Sequence, residues 1–244
     1  MIEVKGLTVR FAGVTPIDDM SVVFPAGTCG LIGPNGAGKT TFFNVLSGFV
    51  KPVAGSVHAY DEDLLAMADY RRARWGLRRT FQTEQAIEDL SVYDNVAMVH
   101  EHSRHGRQSR QDDALGAIEF VGLDIDPQSK VGVLGARERR LVEVARAVVG
   151  QPRVVLLDEP AAGLPDEETV HLGRVIRRIP GHMGALVILV DHDMSLVSAC
   201  CEITAVLDFG KLIAAGPTGD VLRDDQVIRA YLGTEDQEGS AKLS

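Results

Sequence analysis

Apolar and polar positions along this chain follow two different periods. Over residues 2–11, Ile2, Val4, Leu7, Val9 and Phe11 alternate with polar positions, and the alternation slips at Gly6-Leu7. That is the period of a half-buried strand interrupted by a turn or bulge. Val22-Val23-Phe24 reads as a short strand stopped by Pro25-Ala26-Gly27, and Cys29–Ile32 as an apolar strand running into a glycine-rich turn. Lys39–Leu46 carries a helical pattern closed by Ser47-Gly48. Gly55–Ala59 reads as another strand.

Helical signals dominate from about Glu84 to Arg146. Ser91 is suited to cap a helix over Val92–Val99, and Asp112–Val121 carries a helical stripe. His100–Asp113 is polar and rich in His, Arg and Gln, which reads as a solvated loop, not as a metal site. Alternation of strand and helix then resumes. Val154–Leu157 and Leu186–Val190 are unbroken apolar runs, as strands buried on both faces require. Asp166–Arg178 reads as a helix ending near Pro180-Gly181, and Met194–Cys201 as another. Ala205–Asp208 and Lys211–Ala215 read as a hairpin around Phe209-Gly210, and Val227–Leu232 as a last helix. The polar tail Thr234–Ser244 is expected to be disordered. No internal repeat is present. The pattern is a mixed α/β core interrupted by a small helical lobe.

Composition narrows the classes. The 244 residues suffice for one large α/β domain or two small lobes, and 45% hydrophobic with 24% charged residues is ordinary for a globular chain. A net charge of −9 disfavours non-specific binding to DNA or anionic lipid, which counts against a DNA-repair enzyme. Cys29, Cys200 and Cys201 have neither disulfide nor metal-ligand spacing, so they are expected to be small buried hydrophobes in a reducing cytosol. No apolar run approaches the roughly 20 residues that span a bilayer. Met1–Lys5 lacks the apolar core of a signal peptide. The chain is therefore expected to stay in the cytoplasm, with partner chains supplying any membrane part.

The strongest chemical signal is Gly33-Pro34-Asn35-Gly36-Ala37-Gly38-Lys39-Thr40, between a predicted strand and a predicted helix. It fits the phosphate loop G-x-x-x-x-G-K-[ST]. Glycines let the backbone curl its N–H groups inward, and the helix start adds its positive dipole end. Lys39 is placed to reach the β and γ phosphates, and the Thr40 hydroxyl to ligate Mg²⁺. Next comes Asp158-Glu159, ending the apolar run Val154–Leu157 at the strand end where parallel sheets bind ligands. Asp158 is suited to hold Mg²⁺ and Glu159 to polarise the attacking water as a general base. His192, just past the run Leu186–Val190, can reach a γ-phosphate from the same sheet edge. Gln82, in Arg79-Thr80-Phe81-Gln82, ends a short strand. Its amide could bind Mg²⁺ or the attacking water, or could be a plain surface residue.

Taken in this order, the residues resemble the ATP-binding subunits of ABC transporters, over nearly the whole chain. Within that class they are most similar to the branched-chain (hydrophobic) amino-acid importers, through four stretches. These are Arg79–Gln82, Asp158-Glu159-Pro160-Ala161-Ala162-Gly163-Leu164, His192-Asp193-Met194 and Val227-Ile228-Arg229-Ala230-Tyr231-Leu232-Gly233. The resemblance implies a P-loop NTPase (RecA-like) α/β core with an N-terminal antiparallel β subdomain and a small inserted helical subdomain. One ABC ATPase domain would cover residues 1–233, with the core in 1–84 and 147–233, the helical part in 85–146, and a tail at 234–244.

The resemblance also implies ATP and Mg²⁺ as bound groups. Phe11 would stack on adenine, and Gly33–Lys39, Thr40 and Thr41 would bind the nucleotide. Thr40, Gln82 and Asp158 would hold the metal, and Glu159, His192 and Gln82 would act in hydrolysis. Two such ATPases, identical or different, would pack head to tail on the cytoplasmic face of the inner membrane as peripheral subunits. Two transmembrane permeases and a periplasmic or extracellular solute-binding protein would complete the machine, with no nucleic acid involved. Branched-chain amino acids are the default solute, with urea, amides and other small solutes as alternatives.

One motif departs from the family. Counting back from Ala145-Arg146, the signature Leu-Ser-Gly-Gly-Gln becomes Leu134-Gly135-Ala136-Arg137-Glu138. The serine is gone, and Arg137 stands where close backbone approach needs glycine. The loop after Asp158-Glu159 also ends in Pro165-Asp166 where Leu-Asp is common. An asymmetric pair follows as an expectation, with this signature serving a weaker or non-hydrolysing site; alternatively the Arg137 guanidinium itself takes the phosphate. Two rival classes stay open: a subunit that holds ATP without hydrolysing it, and a soluble ABC-type ATPase acting on DNA or ribosomes. A nucleotide kinase is more distant, since nothing resembles a second base-binding lid.

Overall fold

The computed structural model describes residues 1–100 and 107–231. Two sheets share the chain. Strands β1 (Ile2–Phe11), β2 (Val14–Phe24), β4 (Ala54–Ala59) and β5 (Glu62–Asp63) form an antiparallel sheet in the order β2-β1-β4-β5. Strands β3 (Thr28–Ile32), β6 (Leu77–Arg79), β7 (Val154–Asp158), β8 (Leu186–Val190), β9 (Ile203–Asp208) and β10 (Lys211–Pro217) form the second, in the order β10-β9-β3-β8-β7-β6. In this sheet β10 alone runs antiparallel to its neighbour.

The helices are α1 (Lys39–Ser47), α2 (Asp69–Trp75), α3 (Val92–His100), α4 (Arg107–Phe120), α5 (Ala136–Val148), α6 (Asp166–Met183), α7 (Met194–Cys200) and α8 (Thr218–Val221), followed by a helix over 225–231. Helices α3, α4 and α5 follow one another between β6 and β7. Along β7, Val154 and Leu156 face one hydrophobic core, with α1 and the antiparallel sheet. Val155 and Leu157 face the other, with α3 to α7. Burial on both faces explains why β7 and β8 are unbroken apolar runs.

Four expectations change. β2 begins at Val14, eight residues before the run Val22–Phe24, because Pro16 and Asp18-Asp19 interrupt the apolar pattern while bulges keep the pairing to β1. The polar stretch His100–Asp113 is not a loop where it is described: α3 includes His100 and α4 starts at Arg107. Helix α6 runs past Arg178 and through Pro180 to Met183. Pro180 lies in the last turn, where its missing N–H forfeits one helical bond and the Gly184 N–H closes the turn on its carbonyl at 2.9 Å. Strand β6 ends at Arg79, so Gln82 lies beyond it. Leu232 and the tail Thr234–Ser244 lie outside the described residues.

Candidate functional site

Strand β3 delivers the chain to Gly33–Thr40 at the carboxyl edge of the parallel strands, and α1 begins at Lys39. Two glycines are sterically required. A Cβ on Gly33 (φ 149°) would sit 2.1 Å from the Leu207 carbonyl oxygen, and one on Gly38 (φ 109°) 2.2 Å from that of Pro16. Only glycine allows these approaches. The start of α1 has no side-chain cap, which leaves its first N–H groups for an anion. Asn35, Gly36 and Thr40 are exposed there, and Thr41 is half-buried.

Lys39 is 6% exposed, and its Nζ donates to the carbonyls of Gly33 at 2.5 Å and Pro34 at 2.9 Å. The lysine thus holds the curl of its own loop. Burial pushes its ammonium below the ordinary lysine range, while the carboxylates of Glu159 and Asp158 pull it back up. Parallel β3, β8 and β7 lie side by side, so the cradle after β3 and the acidic pair at the end of β7 stand at one sheet edge.

Strands β7 and β8 run side by side with Asp158 opposite Val190, so the residues following each strand emerge together. The Glu159 N–H donates to the Val190 carbonyl at 2.7 Å, with Glu159 in the left-handed region at φ 48°. Its carboxylate then meets two partners. His192 Nε2 lies 3.0 Å from Oε1, and Gln82 Nε2 donates to Oε2 at 3.0 Å. Glu159 stays 17% exposed and His192 44%, so water can reach the carboxylate. An anion cradle, a carboxylate pair and a histidine therefore share one sheet edge. Such a set can bind a triphosphate, neutralise its charge and take a proton from a water.

Supporting groups set this geometry. The buried Asp191 carboxylate accepts from the N–H of Ala161 at 3.3 Å and of Asp193 at 3.0 Å, tying the turn after Glu159 to the turn carrying His192. Burial raises its pKa. Asp193 caps α7 through the N–H groups of Ser195 and Leu196, and the Ser195 hydroxyl bond holds its carboxyl below the usual range.

Phe11 ends β1, 49% exposed. Leu134–Glu138 lie elsewhere, at the start of α5. Among the described residues, no hydrogen bond or ion pair joins them to Gly33–Thr40, Gln82, Asp158, Glu159 or His192. Two residues escaped sequence reasoning. Arg79 pairs with Asp158 at 2.8 Å. Tyr231, in the helix over 225–231, has its phenol pushed up to about 12 by burial, with the Gly33 backbone opposing the shift. Both stand in stretches that carried the family resemblance, which was their only signal.

Residues 17–162 match the family described as ABC transporter, and residues 211–237 the branched-chain amino acid ATP-binding cassette transporter family. The chain is 33% identical to the high-affinity branched-chain amino acid transport ATP-binding protein LivG of Escherichia coli K12, covering 96% of this chain and 98% of LivG. It is 34% identical to the lipopolysaccharide export system ATP-binding protein LptB of the same organism, covering 95% and 96%. A solved structure, the ADP conformation of MJ1267, an ATP-binding cassette of an ABC transporter, superposes with a TM-score of 0.86 at 24% identity, over 96% of this chain and 98% of that one.

Proposed function

Because the chain belongs to the ABC transporter family, as an ATP-hydrolysing subunit, we propose that it drives import of branched-chain amino acids or related small hydrophobic solutes. It works as a peripheral subunit on the cytoplasmic membrane face, with two permeases and a second ATP-binding subunit, and receives solute through a separate binding protein. Residues 1–84 and 147–233 form its nucleotide-binding core, and 85–146 the helical part that meets the permeases. The convergence of Lys39, Asp158, Glu159 and His192 at one sheet edge carries the hydrolytic reading. LivG and LptB are 33% and 34% identical to this chain, so overall identity alone does not choose the solute. The branched-chain match at 211–237 supports the amino-acid reading.

The donors suit Mg²⁺. The Thr40 hydroxyl, the Asp158 carboxylate and the Gln82 amide are hard oxygen donors, which Mg²⁺ takes together with substrate phosphates. Among the described residues no three His, Cys, Asp or Glu side chains form a cage of their own. When bound, the ion neutralises charge on the phosphates. The protein's own groups do the rest. Lys39 exchanges its loop carbonyls for phosphate oxygens, and the loop N–H groups orient the γ-phosphate. Glu159 takes the proton of the attacking water, and His192 fixes the Glu159 carboxylate from the side.

A second reading concerns the partner's ATP. Arg137 stands in the first turn of α5, and the Glu138 carboxylate folds back over its start, 2.6 Å from where a Gly135 Cβ would be. A carboxylate there repels a phosphate. This favours an asymmetric pair, in which Leu134–Glu138 faces a weak site and this chain's phosphate loop serves the working one.

Reconstitution in proteoliposomes with the permeases, partner ATPase and binding protein tests the first reading. Leucine uptake should require ATP and stop with Glu159→Gln. Unchanged uptake with that variant would overturn the assignment of the working site. ATP turnover without uptake of any branched-chain amino acid would overturn the solute class.

A further inference from the structure

One buried cation is tied to three parts of this site. Arg79 closes β6 with its side chain 6% exposed, and Asp158 opposite it is 5% exposed. One terminal nitrogen of Arg79 donates to Asp158 Oδ2 at 2.8 Å. The other donates to Asn44 Oδ1 at 2.7 Å and Ser47 Oγ at 3.4 Å, both on α1, the helix of the phosphate loop. The guanidinium carbon lies 5.4 Å from the Phe43 ring centre and 4.9 Å from that of Phe81. Phe81 directly precedes Gln82, the residue that donates to Glu159.

A planar fork is the one side chain able to make this set of contacts. It bonds a carboxylate with one nitrogen and an amide oxygen with the other while its guanidinium carbon lies over two aromatic rings. A buried carboxylate needs such a partner, but any cation would meet that need. The extra bonds to α1 fix where the carboxylate stands relative to the phosphate loop.

We propose that Arg79 is a positioning residue for hydrolysis. It sets the Asp158 carboxylate against the phosphate-loop helix before nucleotide arrives, and through Phe81 it links that setting to Gln82. The proposal rests on the ATPase reading of the site. Its consequence falls on the metal-dependent part of ATP binding, since Arg79 touches the carboxylate assigned to the ion and not the N–H groups assigned to the phosphates.

The test is a titration of the full chain with a fluorescent ATP analogue, in EDTA and in Mg²⁺, for wild type and Arg79→Lys. Lysine keeps the charge but cannot span Asn44 and Asp158. Affinity in EDTA should stay within about twofold, while the gain brought by Mg²⁺ should shrink by about tenfold or more, as for outer partners of metal ligands. Asn44→Ala, which leaves the Arg79–Asp158 pair intact, should reduce the gain in the same direction by a smaller factor, and it decides the matter if Arg79→Lys fails to fold. An unchanged gain in folded variants, or equal losses in EDTA and Mg²⁺, would overturn the proposal. A wild-type chain that binds the analogue with no Mg²⁺ gain at all would sink the ATPase reading itself, and this proposal with it.

Discussion

His192 Nε2 and Glu159 Oε1 stand 3.0 Å apart, although 33 residues separate them in the chain. The parallel pairing of β7 with β8 makes the contact, because each residue leaves its strand at the same sheet edge. A base held by a histidine on one oxygen and by Gln82 on the other has its direction set before any substrate arrives.

Glu159→Gln keeps the shape and removes the base. Steady-state ATP turnover of the assembled transporter should fall by about a thousandfold, while ATP binding persists. His192→Ala leaves the base but frees its direction, and turnover should fall by about a hundredfold with little change in KM. A coupled ATPase assay and equilibrium nucleotide binding read both quantities. Full activity in either variant would remove that residue from the reacting cluster.

Gly38→Ala tests the cradle sterically. The added methyl would meet the Pro16 carbonyl oxygen at 2.2 Å, from a backbone with φ 109°. The partner there is main chain and cannot swing aside. The nucleotide-free protein should lose about 2–4 kcal/mol in urea unfolding, and ATP binding should fall with it. Gly36→Ala is the control: its φ is 79° but no atom beyond its chain neighbours lies within 4 Å of the added carbon, so the cost there is backbone strain alone.

Much of this site was legible in order along the chain, for a physical reason. The phosphate loop is local: its glycines, lysine and threonine are neighbours in sequence. Strands β7 and β8 are buried on both faces and show unbroken apolar runs, so the acidic pair and the histidine could be set at one edge. What escaped notice is what depends on distant partners or breaks the local pattern. Arg79 meets Asp158 across 79 positions and has no periodic signature. The first half of β2 hides behind Pro16 and Asp18-Asp19, because its pairing with β1 comes from backbone and not from an apolar stripe. Helix α4 starts among Arg, Gln and Ser residues that show no apolar stripe. Pro180 reads as a stop only when its position in the last turn of α6 is unknown.

Asp191 gives a pH test with a definite sign. Burial holds its carboxyl above the ordinary value of 3.8, so the folded protein keeps a proton that the unfolded chain has already released. Stability contributed by this group therefore declines as pH rises from about 3.8 through the raised folded value. Asp191→Asn cannot titrate. The unfolding free energy of wild type relative to this variant should fall across that window and level off above it, as read by urea titrations at successive pH values. A flat or rising difference would mean that the Asp191 carboxylate is better solvated than its packing between the two turns implies.

The three thiols give a last prediction about the closed core. Cys29, Cys200 and Cys201 are all buried and free. Burial pushes Cys29 up to about 12 and Cys200 up to about 11, and raises Cys201 as well. Only the thiolate attacks a disulfide reagent, so at neutral pH the folded chain offers almost no nucleophile. Labelling with an aromatic disulfide should then proceed at the rate at which the core opens. Cys29 lies in β3, the strand that feeds the phosphate loop, and Cys200 and Cys201 lie at the end of α7, which follows His192. Bound ATP should slow the labelling of all three together, because opening either region dismantles the site. Fast labelling of Cys200 or Cys201 in the nucleotide-bound chain, with Cys29 still protected, would show instead that α7 opens independently of the phosphate loop.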